Sequence, residues 1–198
     1  NFKYLREIYL RADSNITTSV TVPVLWDKKT ETIVNNESSK IIRIFNSAFN
    51  NLTNNHIDYY PLDKKKKIDD LNSLIYKNIN NGVYKSGFAV SQKAYDKAVI
   101  NLFKTLDVLE EILCKSKFLL GEDYNEADLR LIPTLLRFDS VYVTHFKCNT
   151  MRIIDYKNLY RYMQDMLKIP AVKQTFFIDH IKRHYFYSHK QINPYRII

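Results

Sequence analysis

The sequence predicts an α+β chain: a short helix–strand–strand–helix piece over the first fifty residues, then an all-α domain. Three observations carry this. Two apolar runs, Val20 to Trp26 and Thr32 to Val34, flank a polar turn at Asp27 to Glu31, with β-branched residues at the strand positions. From Ile68 onward the apolar residues recur at three- and four-residue spacing, and nothing alternates as a strand does. Only 3 glycines and 5 prolines punctuate 198 residues, few for a chain built on tight turns.

Taken in order, Phe2, Leu5, Ile8 and Tyr9 mark a first helix, broken by the polar stretch Asp13 to Thr18. Pro23 sits inside the first apolar run. A central strand position cannot spare the backbone donor that proline lacks, so Pro23 belongs at the strand's start or on a bend. Asp27 opens the turn. A helix follows from Glu37 to about Phe49, with Asn36 as its cap and Ile41, Ile42, Phe45 and Phe49 as its buried stripe. Residues 51–67 are rich in Asn and Lys, contain Pro61, and read as a linker between domains at 1–50 and 68–198.

Beyond the linker, Ile68, Leu71, Ile75 and Ile79 mark a helix that Asn80-Asn81-Gly82 is expected to stop. A long helix spans Ser91 to Cys114, with Tyr95, Ala98, Leu102, Leu106, Leu109 and Leu113 on one side. Leu119-Leu120-Gly121 turns the chain. Asn125-Glu126-Ala127-Asp128 resembles a capping box and starts a helix to about Tyr142, which Pro133 should kink. Asp155 is placed to cap a helix over 156–167, Pro170 restarts a short one, and Ile178 to Ser188 closes the set. No internal repeat is present.

Composition narrows the function. With 30 basic and 21 acidic residues the net charge is +9. Apart from Lys64 to Lys67 the charges are scattered, which speaks for a solvated basic surface and against a nucleic-acid partner. Such a surface also suits an anionic small molecule. The 2 cysteines, Cys114 and Cys148, form no Cys-x-x-Cys pair, which points to a reducing, cytoplasmic setting without a disulfide framework. No apolar run reaches membrane-spanning length, so no membrane partner is expected. The N-terminus reads as neither signal nor transit peptide and lacks Met at position 1; the chain is expected to begin inside a longer protein. The 15 tyrosines and 11 phenylalanines offer stacking surface for a pocket or an interface.

A Val22-Pro23 bend near a strand-to-helix Glu37-Ser38 corner resembles the way thioredoxin-like domains hold glutathione. Longer stretches narrow the resemblance: Tyr4-Leu-Arg-Glu-Ile-Tyr9, Val20 to Asn46, Asn81-Gly-Val-Tyr-Lys-Ser-Gly-Phe88 and Asn125 to Asn149. Near the end, Asp179-His-Ile-Lys-Arg-His-Tyr-Phe-Tyr-Ser-His189 and Ile192-Asn-Pro194 belong to the same pattern. The combination of Val141-Tyr-Val-Thr-His-Phe-Lys-Cys-Asn149 with the terminal His184-Tyr-x-x-Ser-His189 is the most specific part. Over nearly its whole length the chain resembles the glutathionyl-hydroquinone reductases, the xi class of glutathione transferases.

The resemblance implies a partial thioredoxin-like N-terminal domain followed by the all-α transferase domain, assembled as a homodimer through the latter. Glutathione is the implied co-substrate, with no metal. The family's catalytic Cys-Pro-Trp-Ala motif is missing from this sequence, so the nucleophilic cysteine is expected upstream of Asn1, and residues 1–198 alone are expected to be inactive. Pro23 is implied to be cis, so that the Val22 backbone pairs with the cysteinyl unit of glutathione; an ordinary edge-strand proline is the plain alternative. Glu37 and Ser38 would hold the γ-glutamyl end at a helix start, where plain capping is the alternative. Arg6 would pair with a ligand carboxylate, or is merely solvated.

Tyr84 and Tyr185 occupy positions resembling the family's substrate-site tyrosines, with Tyr142 and Tyr187 as further candidates; each is also the kind of residue that serves structure alone. His180 and His184 lie one helical turn apart, a spacing that suits zinc, but no third ligand accompanies them, which favours hydrogen bonding or a place at the pocket border. Cys114 reads as core and Cys148 as a packing or interface residue. Asp128 reads as a helix cap. The implied function is glutathione-dependent reduction of glutathionyl-hydroquinones. The alternative is a catalytically inert binding module of the same fold.

Overall fold

The computed structural model describes residues 2–54 and 57–198. Asn55 and His56, within the stretch read as a linker, lie outside the described residues, as does Asn1. The chain divides into two compact units, Asn1–Tyr60 and Pro61–Ile198.

In the first unit, α1 (Leu5–Ala12) is followed by β1 (Leu25–Asp27), β2 (Thr32–Asn35) and α2 (Ser38–Ser47), the expected helix–strand–strand–helix order. The strands pair antiparallel, Trp26 with Ile33 and Asp27 with Thr32. The turn forms as its residues dictate. One carboxylate oxygen of Asp27 accepts the N–H groups of Lys29 (2.7 Å) and Thr30 (3.2 Å). β1 is shorter than the apolar run that announced it. Residues 20–24 stay out of the ladder, and the Val22–Pro23 peptide bond is cis.

Two expectations for α2 need correction. Asn36 does not cap it; its amide donates to the Tyr9 hydroxyl (3.3 Å), while Asn35 accepts the Glu37 N–H (2.8 Å). Ile41 is buried, but Phe45 and Phe49 are exposed and stack on each other at 5.8 Å. Beyond α2, Asn46 ties the chain back by donating to Asp58 (2.7 Å) and accepting the Tyr59 N–H (2.9 Å).

The second unit is helical throughout. α3 (Lys65–Ile75) does not stop at Asn80-Asn81-Gly82. It runs through a π-helical segment, Tyr76–Asn80, into α4 (Asn81–Gly87). Gly82 is buried inside this helix, and a Cβ built there would sit 3.7 Å from Leu102, so it marks a close approach and not a terminus. α5 (Gln92–Lys115) starts where Ser91 accepts the Ala94 N–H (3.3 Å) and buries Leu102, Leu106, Leu109 and Leu113. Cys114, one residue past that stripe, points elsewhere and is exposed, contrary to its reading as core.

α6 (Glu126–Arg137) opens with the expected capping box. Asn125 accepts the Ala127 N–H (2.9 Å) and Asp128 accepts the Asn125 N–H (2.9 Å). After Pro133 the helix widens into a second π segment, Phe138–Tyr142, and ends as α7 (Val143–His145). Asp155 does not cap the next helix, α8 (Lys157–Leu167); it pairs with Arg152 at 2.8 Å. Glu110 of α5 takes that role from a distance, accepting the N–H groups of Asn158 (2.8 Å) and Leu159 (2.7 Å). Arg161 returns the favour at the far end of α5, donating to the carbonyls of Leu113 (2.8 Å) and Ser116 (3.0 Å). α9 (Pro170–Gln174) and α10 (Ile178–Ser188) complete the unit.

Candidate functional site

In the first unit the candidate residues gather around one buried phenol. Tyr9 of α1 is 2% exposed, and its hydroxyl donates to the Thr21 carbonyl at 2.8 Å. The same oxygen accepts the Thr21 N–H and the Asn36 amide, both at 3.3 Å. Tyr9 therefore ties together the residues just before the cis Val22–Pro23 bend and those just before the Glu37-Ser38 corner. The bend and the corner themselves face solvent: Val22 is 76% exposed, and Pro23, Glu37 and Ser38 are exposed too. Ser38 begins α2, whose Lys40 and Ile41 N–H groups donate to the Glu37 carbonyl (2.9 Å each) and whose dipole favours an anion at this end. Arg6 is exposed on α1 with its guanidinium 4.8 Å from the Tyr4 ring centre.

In the second unit three of the four candidate tyrosines meet. The Tyr185 hydroxyl lies 2.5 Å from that of Tyr84 and 2.9 Å from that of Tyr142. Tyr142 ends the second π segment, Tyr185 belongs to α10 and Tyr84 to α4, so three separate helical segments converge on one hydroxyl ladder. It runs from inside to outside, with Tyr142 and Tyr185 buried and Tyr84 38% exposed. Burial pushes the Tyr142 and Tyr185 phenols well up, so both stay neutral donors at physiological pH.

Phe146 forms the wall behind the ladder, stacked on Tyr142 (ring centres 5.4 Å apart) and in contact with Tyr84 (5.3 Å) and Tyr185 (5.9 Å). Gly87 makes room for it, since a Cβ there would overlap the Phe146 ring. Tyr187 stays apart. It is 53% exposed, under the Arg196 guanidinium at 4.3 Å.

A third hydrogen bond lies beside the ladder, between His145 Nε2 and His189 Nδ1 at 3.0 Å. Burial holds both imidazoles below the usual histidine range, each lowered further by a neighbouring histidine. His184 packs edge-on against Tyr185 at 5.2 Å, and His180 stacks on Phe177 at 5.5 Å. Among the described residues no group of three or more His, Cys, Asp or Glu could hold a metal ion, and no helix is long and apolar enough to cross a membrane. Cys148 is fully buried, and burial pushes its thiol up to about 12, which leaves it inert as a nucleophile.

Sequence reasoning missed Tyr9, Phe146, His145 and His189 as site-building residues. All four fall in stretches singled out above for their pattern. What the pattern lacked was the pairing, which only the fold supplies.

A small α/β unit carrying a cis Val-Pro bend and an open helix start, joined to an all-helical unit, is the layout of a glutathione transferase. The family model described as glutathione S-transferase, C-terminal domain, matches residues 92–165. Glutathionyl-hydroquinone reductase YqjG of Escherichia coli is 54% identical over 196 residues, covering 99% of this chain and 60% of its own length. Its structure with glutathione bound superposes with a TM-score of 0.97. The glutathione S-transferase Xi of Phanerochaete chrysosporium gives 0.98 at 52% identity, covering 100% of this chain and 65% of that one. Glutathione transferase Xi 1 of Trametes versicolor gives 0.96 at 48% identity, covering 98% and 68%. The chain belongs to the xi class of glutathione transferases, the family of the glutathionyl-hydroquinone reductases. It spans about three fifths of the length of the curated relatives it matches.

Proposed function

We propose that this chain is the ligand-holding part of a cytoplasmic, homodimeric glutathionyl-hydroquinone reductase. The observation that carries the reading is the hydroxyl ladder Tyr142–Tyr185–Tyr84, three phenols converging from separate segments with one end open. Val22 and Pro23 would present extended backbone to the cysteinyl unit of glutathione. Glu37 and Ser38 would take the γ-glutamyl end at the start of α2, and Arg6 a ligand carboxylate. Relatives of the chain have been solved with glutathione bound, which supports glutathione as the co-substrate.

In the complete protein a cysteine thiolate outside residues 1–198 would attack the glutathione sulfur of the thioether. The carbon–sulfur bond breaks, its electron pair passes to the ring, and a proton completes the hydroquinone. A protein–glutathione mixed disulfide remains, and a second glutathione thiolate displaces the cysteine to give oxidised glutathione. The ladder suits the first step. Tyr142, buried, donates to Tyr185, and Tyr185 to Tyr84, so the Tyr84 proton is left to bond a ring oxygen as charge develops there. Cooperative polarisation along the chain makes that proton a better donor than a lone tyrosine's. Tyr187 stands outside this arrangement and would have no part in it.

The test is product stoichiometry. The complete protein, given a glutathionyl-hydroquinone and glutathione, should release one hydroquinone per oxidised glutathione. Turnover without oxidised glutathione would overturn this route, and no turnover at all would favour the inert binding module.

A further inference from the structure

The two stretches that set this sequence apart, Val141 to Asn149 and His184 to His189, share ring contacts and, outside the tyrosine ladder, the hydrogen bond from His145 Nε2 to His189 Nδ1 at 3.0 Å. The spacing of these residues repeats a pattern. His145 lies three residues after Tyr142, and His189 lies four after Tyr185. Each histidine therefore sits about one helical turn beyond a ladder tyrosine, on the same side of its segment. The Tyr142–Tyr185 bond (2.9 Å) and the His145–His189 bond join the same two segments as parallel rungs.

The second rung is packed in place. His189 lies against Phe146 (5.8 Å), edge-on to Phe88 (5.2 Å) and edge-on to Tyr185 (5.7 Å). His145 is 4% exposed and packs on Phe146 and Phe186 at 5.3 and 4.8 Å. His189 stands at the C-terminal boundary of the helix that carries Tyr185, where the Asn193 side chain also donates to the Phe186 carbonyl (2.8 Å).

We propose that the His145–His189 pair is a positioning element for the tyrosine ladder: a second rung that fixes the end of α10 and so holds the Tyr185 hydroxyl in reach of both Tyr142 and Tyr84. It rests on the reading of the ladder as the aromatic-substrate site, and it does so through geometry alone. Two imidazoles sharing one hydrogen bond need one N–H and one lone pair between them. When both rings are imidazolium, both facing nitrogens carry a proton, and repulsion replaces attraction. The titratable side chains in ring contact with the pair are His184 and Tyr185, both on α10; neither is a carboxylate that could offset a second positive charge. The rung therefore holds above the histidine range and opens below it.

The test compares His189→Phe, His189→Asn and His145→Gln in the complete protein. Phe keeps the ring packing and loses the bond, whereas Asn and Gln each keep a polar atom near the one replaced. For His189→Phe, kcat/KM toward a glutathionyl-hydroquinone should fall on the order of tenfold relative to that toward a non-aromatic glutathione mixed disulfide. His189→Asn or His145→Gln should recover most of the loss. The same ratio in the unsubstituted protein should hold through the usual histidine range and fall only at lower pH, where both rings become charged, and His145→Gln should flatten that fall. Amide hydrogen exchange gives a readout that needs no substrate: in His189→Phe the backbone N–H groups of α10 around Tyr185 should exchange faster, because the released helix end opens more often. Unchanged exchange together with an unchanged substrate ratio would overturn the proposal. If the protein proved inactive on hydroquinones, the exchange measurement alone would still decide whether the pair positions the ladder.

Discussion

The hydroxyl of Tyr9 donates to the carbonyl of Thr21 across 2.8 Å of buried space. That bond fastens the chain ahead of the cis Val22–Pro23 bend to α1, and the Asn36 amide on the same oxygen fastens the approach to α2. Replacing Tyr9 by Phe keeps the ring and strips the four hydrogen bonds of its hydroxyl to part-buried groups of Thr21 and Asn36. The expected cost is about 1–3 kcal/mol in urea unfolding. Glutathione binding by the complete protein, measured calorimetrically, should weaken several-fold because both backbone elements proposed to hold the ligand are released. Unchanged stability would mean that Tyr9 packs but does not tether.

Asp128 is fully buried, and burial pushes its carboxyl up to about 6 from an ordinary 3.8, against the pull of the Leu119 and Asn125 N–H groups. The folded value lies above the unfolded one, so the folded chain binds this proton more tightly. The stability it contributes is complete below about pH 4 and is lost as the pH rises through about 6. Asp128→Asn should be destabilising, because one amide nitrogen must face a backbone N–H. Its deficit should be largest near pH 4 and shrink toward pH 7 by on the order of 2–3 kcal/mol. Denaturant titrations at three pH values check this, and a pH-independent deficit would refute it.

The two glycines of α4 predict opposite outcomes. A methyl group at Gly87 would overlap Phe146, whose ring backs all three ladder tyrosines, so Gly87→Ala should cost about 1–3 kcal/mol and disturb aromatic-substrate turnover. At Gly82 the nearest atom, on Leu102, is an ordinary 3.7 Å away, so Gly82→Ala should stabilise the helix by up to about 1 kcal/mol. Thermal melts of the two variants side by side test the contrast.

Most of this fold was legible because its local signals agree with its packing. Ser91 and the Asn125–Asp128 box announce helix starts, and the α5 stripe announces the face that is buried. The errors came where a distant residue replaced a local one. Asn36 looks like a cap but serves Tyr9, and Asp155 looks like a cap but leaves α8 to Glu110, 48 residues away. Asn80-Asn81-Gly82 reads as a stop because nothing local shows Leu102 seated against the glycine. The site shows the same limit. Tyr84, Tyr142 and Tyr185 came from a motif resemblance, whereas their shared hydrogen bonds span 101 and 43 residues, a separation no local pattern encodes.

The most direct test of the central claim is the substrate selectivity of Tyr84→Phe in the complete protein. The hydroxyl lost is the open end of the ladder, and the ring that packs on Phe146 is kept. The account predicts that kcat/KM for a glutathionyl-hydroquinone falls by roughly 10–100-fold, as expected for one lost donor to developing charge, while reduction of a non-aromatic glutathione mixed disulfide is spared. Equal rates for both substrates before and after the substitution would contradict it.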